Sequence, residues 1–228
     1  MRSKLNFKIN WKHSIGEIFL IFIGISLAIW FENFMESKQE RKTEIILLKE
    51  LLKDEERNVS DLEFNLGMFI KAKNGCNYVL DQLKNKKPYN DSLGIHFGNI
   101  RYSLIFQISK SSYNTILSIG WQIITNDSIR TDIIFLYDFY YDALETLSVQ
   151  LDMPYTQNHF IPMYNRMFNT GDKTPIDYES LINDIEVANI VRQARGYKVT
   201  VIQFIRRRID QSKKLQILIE EEIDRLES

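Results

Sequence analysis

The hydrophobic and polar positions divide the chain into a short apolar part and a long amphipathic part. Residues 15–31 read IGEIFLIFIGISLAIWF, an apolar run of about 17 residues whose one charge is Glu17. At 1.5 Å per residue the run spans roughly 26 Å, close to the ~30 Å hydrocarbon core of a bilayer. Trp11 precedes it and Trp30 lies near its end, a placement typical of membrane interfaces. The pattern predicts a transmembrane helix over residues 15–34.

Two other interpretations of this run stay open. A signal peptide also has a basic segment followed by an apolar stretch, but here the run ends in Trp30-Phe31-Glu32-Asn33, without the small-x-small cleavage pattern. Retention in the membrane is therefore favoured. The remaining interpretation is a buried core helix of a soluble protein.

The charges around the run predict its orientation. The basic residues are Arg2, Lys4, Lys8 and Lys12 before it, within a basic segment 1–14, and Lys38, Arg41 and Lys42 after it. The positive-inside rule favours a cytoplasmic N-terminus and a periplasmic soluble domain in the inner membrane of a bacterium. The margin is about one charge, so the opposite orientation remains the alternative.

Two features of the run go beyond anchoring. Gly24 and Ala28 form a small-xxx-small pair, which lets two helices approach closely. Glu17 lies seven residues before Gly24, on nearly the same helical face. An acidic residue at this depth suggests a function, as a contact within a helix bundle, as part of an ion path or as part of a proton relay. The alternative is that Glu17 lies at headgroup depth and marks the boundary of the membrane segment.

For residues 35–228 the sequence predicts a helical soluble domain that begins and ends with a long helix. The first, over about 36–85, has a three-four spacing of apolar residues. Its seam positions are Ile45, Leu48, Leu52, Val59, Leu62, Leu66, Phe69 and Cys76, with Glu55 and Lys73 at the missing steps. The last helix has Ala194, Tyr197, Val201, Phe204, Leu215 and Leu218, with Arg208 and Gln211 between them; its stripe then moves to Ile219, Ile223 and Leu226. Antiparallel packing of the two would return the C-terminus toward the membrane. The predicted fold class is all-α.

Shorter elements lie between these helices. Residues 94–108 are apolar enough for a buried helix, although their glycines and β-branched residues leave a strand possible. The sequence SSYNTILSIG predicts a helix with a serine cap that ends at Gly120. Pro154, Pro162 and Pro175 indicate a looser region, with a short helix starting near Pro162.

A polar cluster begins the helix that follows Gly120. Asn126 can cap this helix, and Asp127 lies favourably at its positive end. Arg130 can fold back onto Asp127 from one turn later. A structural role explains the three residues, and a binding role is the alternative.

Composition adds little specificity. The chain is 44% hydrophobic and 26% charged, so it can form a packed core, and its net charge of −1 gives no general attraction for nucleic acid. Cys76 is the single cysteine, which excludes an intrachain disulfide. A buried free thiol is the favoured interpretation, and pairing between chains is the alternative.

Enzyme signatures are absent from the sequence. There is no glycine-rich phosphate loop, HExxH or G-x-S-x-G, and the three histidines are scattered. Asp138, Asp142 and Glu145 share one helical face, where a solvated acidic surface is favoured over a cation site. We therefore expect no catalytic residues, no cofactor and no metal.

Two stretches resemble an uncharacterised membrane-protein family from Bacteroidota. The first, Ile15 to Ala28, is similar to its "IGE-x-x-L-V-x-IGI-x-x-A" opening. The second is similar to "Y-x-x-L-x-S-x-G-x-x-x-I-x-N-D-x-L-R-x-x-I-x-x-LY". Matching positions are Tyr113, Ser118, Gly120, Ile124, Asn126, Asp127, Arg130 and Tyr137, with Ile116 and Ile129 where the pattern has leucine. After Ala28 the chain departs from the family's polar continuation. The resemblance implies membrane placement and gives no catalytic residue to carry over.

These patterns favour a membrane-anchored helical interaction or scaffold protein that is oligomeric and non-catalytic. Its expected partners are the lipid bilayer and either a second copy or another membrane protein, and no nucleic acid. The alternative is a channel-forming or membrane-effector subunit with Glu17 at the helix interface.

Overall fold

The computed structural model describes residues 11–228, with side chains from Gly16 onward. The regular elements of this part of the chain are helices. The basic segment 1–14, and with it the contribution of Arg2, Lys4, Lys8 and Lys12 to the orientation, lies outside the described side chains.

The first helix, α1, is continuous from Trp11–Asn85, a length of 75 residues. It joins the predicted membrane segment to the predicted long helix without a break, because no proline interrupts the sequence before Pro88. It ends where Lys86 adopts a positive φ of 46°. Within the described residues, α1 is the helix that is long and apolar enough to cross a membrane, and its most apolar window is 0% buried.

The last helix, α9, covers Ile185–Glu227 and runs antiparallel to α1. Arg195 of α9 donates to Asn77 of α1 at 2.5 Å, and Lys213 pairs with Glu63 at 2.6 Å. Near the C-terminus, the carbonyl of Leu226 accepts from Arg41. The predicted all-α fold with long antiparallel first and last helices is confirmed, and the C-terminus returns toward the apolar end of α1.

The connecting elements lie against this pair. They are α2 (Ser92–Ile100), α3 (Ser111–Ile119), a 3-10 turn (Trp121–Ile123), α4 (Asp127–Ile134), α5 (Asp142–Leu147), α6 (Met153–Tyr155), α7 (Ile161–Met167) and α8 (Tyr178–Asn183). Three π-helical segments, Phe135–Tyr141, Ser148–Asp152 and Thr156–Phe160, join α4 to α7. The chain is therefore helical without interruption from Asp127 to Met167.

The looser region expected around Pro154 and Pro162 is not found, because both prolines lie inside this helical stretch. A π-helical segment directly precedes each short helix that contains one of them. Proline lacks an N–H and its ring clashes with the carbonyl four residues earlier in an α-helix. The wider π turn provides a place for both effects.

The prediction for residues 94–108 is half correct. Helix α2 ends at Ile100, and residues 102–110 continue without regular structure. Side chains of the long helices satisfy the backbone groups of this connector. Asn58 exchanges two hydrogen bonds with the backbone of Ser109, at 2.8 and 3.2 Å, and Lys198 donates to the carbonyl of Tyr102 at 2.6 Å. A partly buried connector without regular structure needs such partners, and apolar spacing does not reveal them.

In each long helix, the predicted three-four seam consists of two rows of positions that are seven residues apart. One row is buried as predicted, and the buried positions of the other row lie one residue away from the predicted ones. In α1 the second buried row is Glu44, Leu51, Asn58, Ala72 and Val79; in α9 it is Lys198, Ile205, Ser212 and Ile219. Both rows contain polar residues, which conceal them in a hydrophobicity pattern. The expected positions Ile219, Ile223 and Leu226 near the end of α9 are buried, and Glu222 is buried beside them.

The buried apolar residues form two clusters along the bundle. The proximal cluster, nearer the apolar end of α1, runs from Leu47 to Phe69 on α1 and includes Tyr137 and Tyr141. The distal cluster runs from Cys76 to Leu83 on α1 and includes Phe97, Phe160 and Tyr164. The described residues of the predicted membrane segment belong to neither cluster.

Candidate functional site

The predicted membrane segment presents its apolar side chains outward. Ile18, Phe22 and Trp30 are each more than 60% exposed, and a side chain added at Gly24 would meet nothing within 4 Å. Exposed apolar surface on this scale marks an interaction with a membrane or another protein.

The small residues of this segment face away from the helical bundle. Gly24 precedes Glu44, and Ala28 precedes Leu48, by the same twenty residues. That interval rotates an ideal helix by roughly 200°, so the small pair points about 160° away from the buried side of α1. Glu17 lies within about 20° of Gly24 on the same basis. The face that holds these three residues is therefore not covered by α9.

The predicted cap cluster lies at the end of the domain nearest this segment. Asn126 is the N-cap of α4 and accepts from the backbone N–H groups of Ser128 and Ile129. Arg130 donates to Asp127 at 2.5 Å and to the carbonyl of Ile124 at 3.1 Å. The structure brings Asn126, Asp127 and Arg130 together in this way.

The same loop is bound to both long helices, which the sequence did not indicate. Glu44 of α1 accepts from the backbone N–H of Thr125 at 2.7 Å and from its hydroxyl at 3.0 Å. Asn126 donates to Glu222 of α9 at 3.0 Å, and Arg225 contacts both oxygens of Glu222. The hydrogen bonds from Arg225 lower the pKa of Glu222, against the upward effect of burial, and Asn126 adds to the lowering. We call this loop, residues 124–130, the clasp, because its polar groups hydrogen-bond to one another and to both long helices. These groups therefore have a structural role.

Glu55 forms the centre of a buried polar cluster in the proximal core. Its side chain is 0% exposed, and it accepts from Tyr141 at 2.8 Å, from the Ser212 hydroxyl and from Asn58 at 3.3 Å. It forms no ion pair within the described part of the chain. Burial, together with the nearby Glu55 charge, raises the pKa of Tyr141 well above its ordinary value, so the phenol stays a donor.

A buried ion pair lies where the two apolar clusters meet. Lys198 and Asp152 are 0% and 1% exposed, and their charged atoms are 2.7 Å apart. The ammonium also donates to the carbonyl of Tyr102 and lies 5.4 Å from the centre of the Phe69 ring. Burial lowers the pKa of Lys198, and the Asp152 charge opposes this shift.

The N-terminus of α3 is capped by Asp54 of α1, and not by a serine of its own as the sequence had predicted. Lys110, at the N-cap of α3, makes no capping hydrogen bond with its side chain. Instead the Asp54 carboxylate of α1 accepts from the backbone N–H of Ser112 at 2.9 Å, and from the hydroxyls of Ser112 and Ser109 at 2.7 and 2.8 Å. The cap of α3 is therefore supplied by another helix.

The remaining chemical groups are dispersed. Asp138 accepts from Tyr113 at 2.5 Å, and Glu145 lies 3.4 Å from Lys110, so two members of the predicted acidic face contact other elements. No cluster of three or more His, Cys, Asp or Glu suited to a metal ion occurs among the described residues. Cys76 is a buried free thiol whose pKa burial raises to about 12.

Sequence reasoning missed most of these buried polar groups. One signal was available: Glu55 and Arg208 occupy seam steps of the three-four pattern, where a charge needs partners. On the seam, Arg208 is expected either to extend its charged end to the surface or to pair with an acid. Its guanidinium instead lies 4.4 Å from the centre of the Tyr140 ring and donates to Gln211 at 2.6 Å.

Comparison with known proteins gives a family match. Residues 17–192, about three quarters of the chain, match the family described as "Family of unknown function (DUF6090)". No curated protein and no solved structure matches the chain. The expectation of an uncharacterised family is confirmed in this general form.

Proposed function

The chain belongs to this family of unknown function, and we propose that it is a membrane-anchored helical interaction protein. In this proposal it is oligomeric through its membrane helix and has no catalytic activity of its own. The apolar segment, residues 15–34, is the anchor, and residues 35–228 form the domain that it holds beyond the bilayer.

The observation that carries the proposal is the contrast within α1. Its most apolar window is 0% buried, yet the helix continues into a stretch that packs along α9. In water, that exposed stretch would be strongly unfavourable, since burial is worth roughly 25 cal/mol per Å². A bilayer removes this cost without requiring a further protein element.

The small-residue face supports self-association. Gly24 and Ala28 face away from α9, so a second copy can approach them without meeting the first copy's bundle. Glu17 would lie in the same contact. Channel formation through Glu17, the alternative function, has no further support from the described residues beyond this position.

We place the protein in the inner membrane of a bacterium, with the N-terminus in the cytoplasm and the domain in the periplasm. The charge asymmetry around the segment supports this orientation. The proposed partners are the lipid bilayer and a second copy or another membrane protein. The net charge of −1 gives no support for nucleic-acid binding.

Disulfide cross-linking of the full chain in native membranes tests the proposal. Ala28→Cys is expected to give a cross-linked dimer on mild oxidation. Ser26→Cys is the matched control, because two residues of helix rotate it about 160° away from Ala28. Cys76 does not interfere, because it is buried and its thiol has a raised pKa. Equal cross-linking of both variants, or of neither, would contradict an interface through the small-residue face.

A further inference from the structure

A cationic cleft lies in the distal half of the bundle. It is separate from the predicted membrane segment and from the clasp. Its volume is about 550 Å³, within the range of small-molecule sites. Helices α1, α2 and α7, the connector after α2 and the turn before α8 all contribute to its walls. We define the cationic cleft by its three charged residues, Lys71, Arg101 and Lys173.

The three cations of the cleft have no anionic counterpart. No Asp or Glu lines it, and none of the three cations forms an ion pair or a hydrogen bond among the described residues. Several other cations of this bundle do have acidic partners: Lys198 pairs with Asp152, Arg225 with Glu222 and Lys213 with Glu63. Three unpaired positive charges on one concave surface favour an anionic occupant.

The position of Lys173 is held by backbone structure. Its φ of 63° lies in the left-handed region, which is unfavourable for a residue with a side chain. Asn169 and Asp172 fold the turn through hydrogen bonds to Lys173, Gly171 and Thr174. Gly94 of α2 allows the carbonyl of Lys173 to approach, since a Cβ at this position would collide with it. The close fit of the turn on α2 holds Lys173 at the cleft.

The other walls of the cleft supply apolar contact and a free hydroxyl. The Arg101 guanidinium lies 5.6 Å from the centre of the Tyr164 ring, which keeps its fork beside an aromatic surface. Ile95 and Ile161 also line the cleft. The Ser103 hydroxyl, another lining group, is buried and has no hydrogen-bond partner among the described atoms. A bound oxyanion would satisfy it.

We propose that the cationic cleft binds a small organic anion, a carboxylate or phosphate that carries an apolar or aromatic group. Lys71, Arg101 and Lys173 bind the charge, Ser103 donates a hydrogen bond, and the apolar group lies against Tyr164 and the two isoleucines. Lys71 is 36 residues beyond Met35, roughly 54 Å along a straight helix. If the proposed anchoring holds, a lipid of that bilayer does not reach the cleft, so the ligand is soluble.

Calorimetric titration of the full chain in zwitterionic nanodiscs tests this proposal. Phenyl phosphate and benzoate are the aromatic anionic probes. Inorganic phosphate carries charge without an aromatic group, and benzyl alcohol carries an aromatic group without charge. We expect saturable binding of at least one aromatic anion, weaker binding of inorganic phosphate and none of benzyl alcohol. The affinity should fall with added salt, because the cations of the cleft are exposed.

Variants assign the binding to the cleft. Lys71→Gln and Arg101→Gln should each weaken the aromatic anion about tenfold or more, because each removes a charged contact. Lys53→Gln is the matched control for Lys71→Gln, on the same exposed face of α1 about five turns earlier. Arg207→Gln, an exposed arginine of α9, is the control for Arg101→Gln. Both controls should leave the affinity within about twofold of the unmodified chain, since neither residue lines the cleft.

Lys173→Gly removes the third ammonium while keeping a backbone suited to positive φ. It should weaken binding by a similar factor without lowering the unfolding midpoint, which separates loss of the ligand from loss of the fold. The proposal is overturned if neither aromatic anion binds saturably, or if the control variants weaken binding as much as the cleft variants. Equal affinity for inorganic phosphate or for benzyl alcohol would also overturn the assignment to an organic anion. None of these outcomes depends on whether the membrane helix dimerises.

Discussion

The first helix, α1, has two stretches that differ in which side chains they bury. The first exposes apolar side chains, and the second buries polar ones. Between Ile18 and Met35 its large apolar side chains are exposed, whereas between Glu44 and Leu83 it buries Glu55 and Asn58 beside leucines. The first stretch lacks a packing partner among the described residues, and the second has α9 and the connector. Burial along this helix therefore follows the available partner, and the exposed apolar stretch is the part that the proposed bilayer would cover.

The buried polar residues of the second stretch also specify how the bundle packs. Each has a named partner on another element: Ser212 for Glu55, Ser109 for Asn58, and Ser112 for Asp54. A slip of α9 or of the connector along α1 would leave these groups buried without hydrogen bonds, which costs about 1–3 kcal/mol for each group. We infer that they fix the register of helices whose apolar contacts alone would tolerate a shift.

Breaking the Lys198–Asp152 pair should have the largest effect on the packed part of the molecule. Asp152→Ala leaves the Lys198 ammonium buried at 0% exposure without its carboxylate. We expect a loss of about 3–5 kcal/mol in the free energy of unfolding, as for other buried pairs that lose one partner. Denaturant unfolding of the full chain in detergent, followed by circular dichroism, measures this loss.

The double variant Asp152→Leu with Lys198→Met controls for the charge. It removes both ions and replaces them with apolar groups, so most of the lost stability should return. If the double variant is as unstable as Asp152→Ala, the loss reflects packing at this position instead of an uncompensated charge.

A leucine-to-alanine pair compares the two stretches of α1 directly. Leu51 is 0% exposed in the seam, and Leu27 is 59% exposed in the predicted membrane segment. Leu51→Ala should lower the free energy of unfolding of the domain by about 2–5 kcal/mol, because it creates a cavity. Leu27→Ala should leave the unfolding of the domain unchanged. A comparable loss in both variants would contradict the assignment of the first stretch to the bilayer.

Glu55 should contribute less than the ion pair but more than an exposed carboxylate. Glu55→Ala leaves the Tyr141 and Ser212 hydroxyls without their acceptor, and we expect a loss of about 2 kcal/mol or more. Glu55→Gln keeps one acceptor oxygen and should lose about half as much. Hydrogen exchange of α1 and α9 amides measures both. A larger loss in the glutamine variant than in the alanine variant would contradict the hydrogen-bonding role.

Much of the architecture was predictable because it rests on local patterns. Continuous three-four spacing and the absence of proline predicted α1 and α9, and the polar Asn126 before an apolar run predicted the start of α4. The second seam rows were displaced because Glu44, Asn58 and Lys198 are buried polar residues. Their burial depends on partners far away in sequence, such as Asp152 for Lys198.

The cationic cleft was beyond sequence reasoning for the same reason. Lys71, Arg101 and Lys173 are separated by 30 and 72 residues and carry no motif. Their convergence depends on the close approach of the turn to Gly94 and on the irregular connector after Ile100. Neither feature has a periodicity that a sequence pattern could detect.

The smallest expected effect on stability is a dependence on acid pH, which tests the buried carboxylate of Asp54 in the packed stretch of α1. Burial raises the pKa of this carboxyl, but the hydrogen bonds from Ser112 and Ser109 outweigh it, so the folded pKa lies below the reference value of 3.8. A group with a lowered folded pKa stabilises the fold above its unfolded pKa. That contribution is lost as the pH falls through the lower, folded pKa. The difference in unfolding free energy between the unmodified chain and Asp54→Asn should therefore be largest near neutral pH and shrink below 3.8. Asp61→Asn, at an exposed position two turns further along α1, is the matched control and should show little difference at either pH. A difference for Asp54→Asn that stays constant into acid would show that the ionised carboxylate does not cap α3, because a neutral group in the same place would then serve equally well.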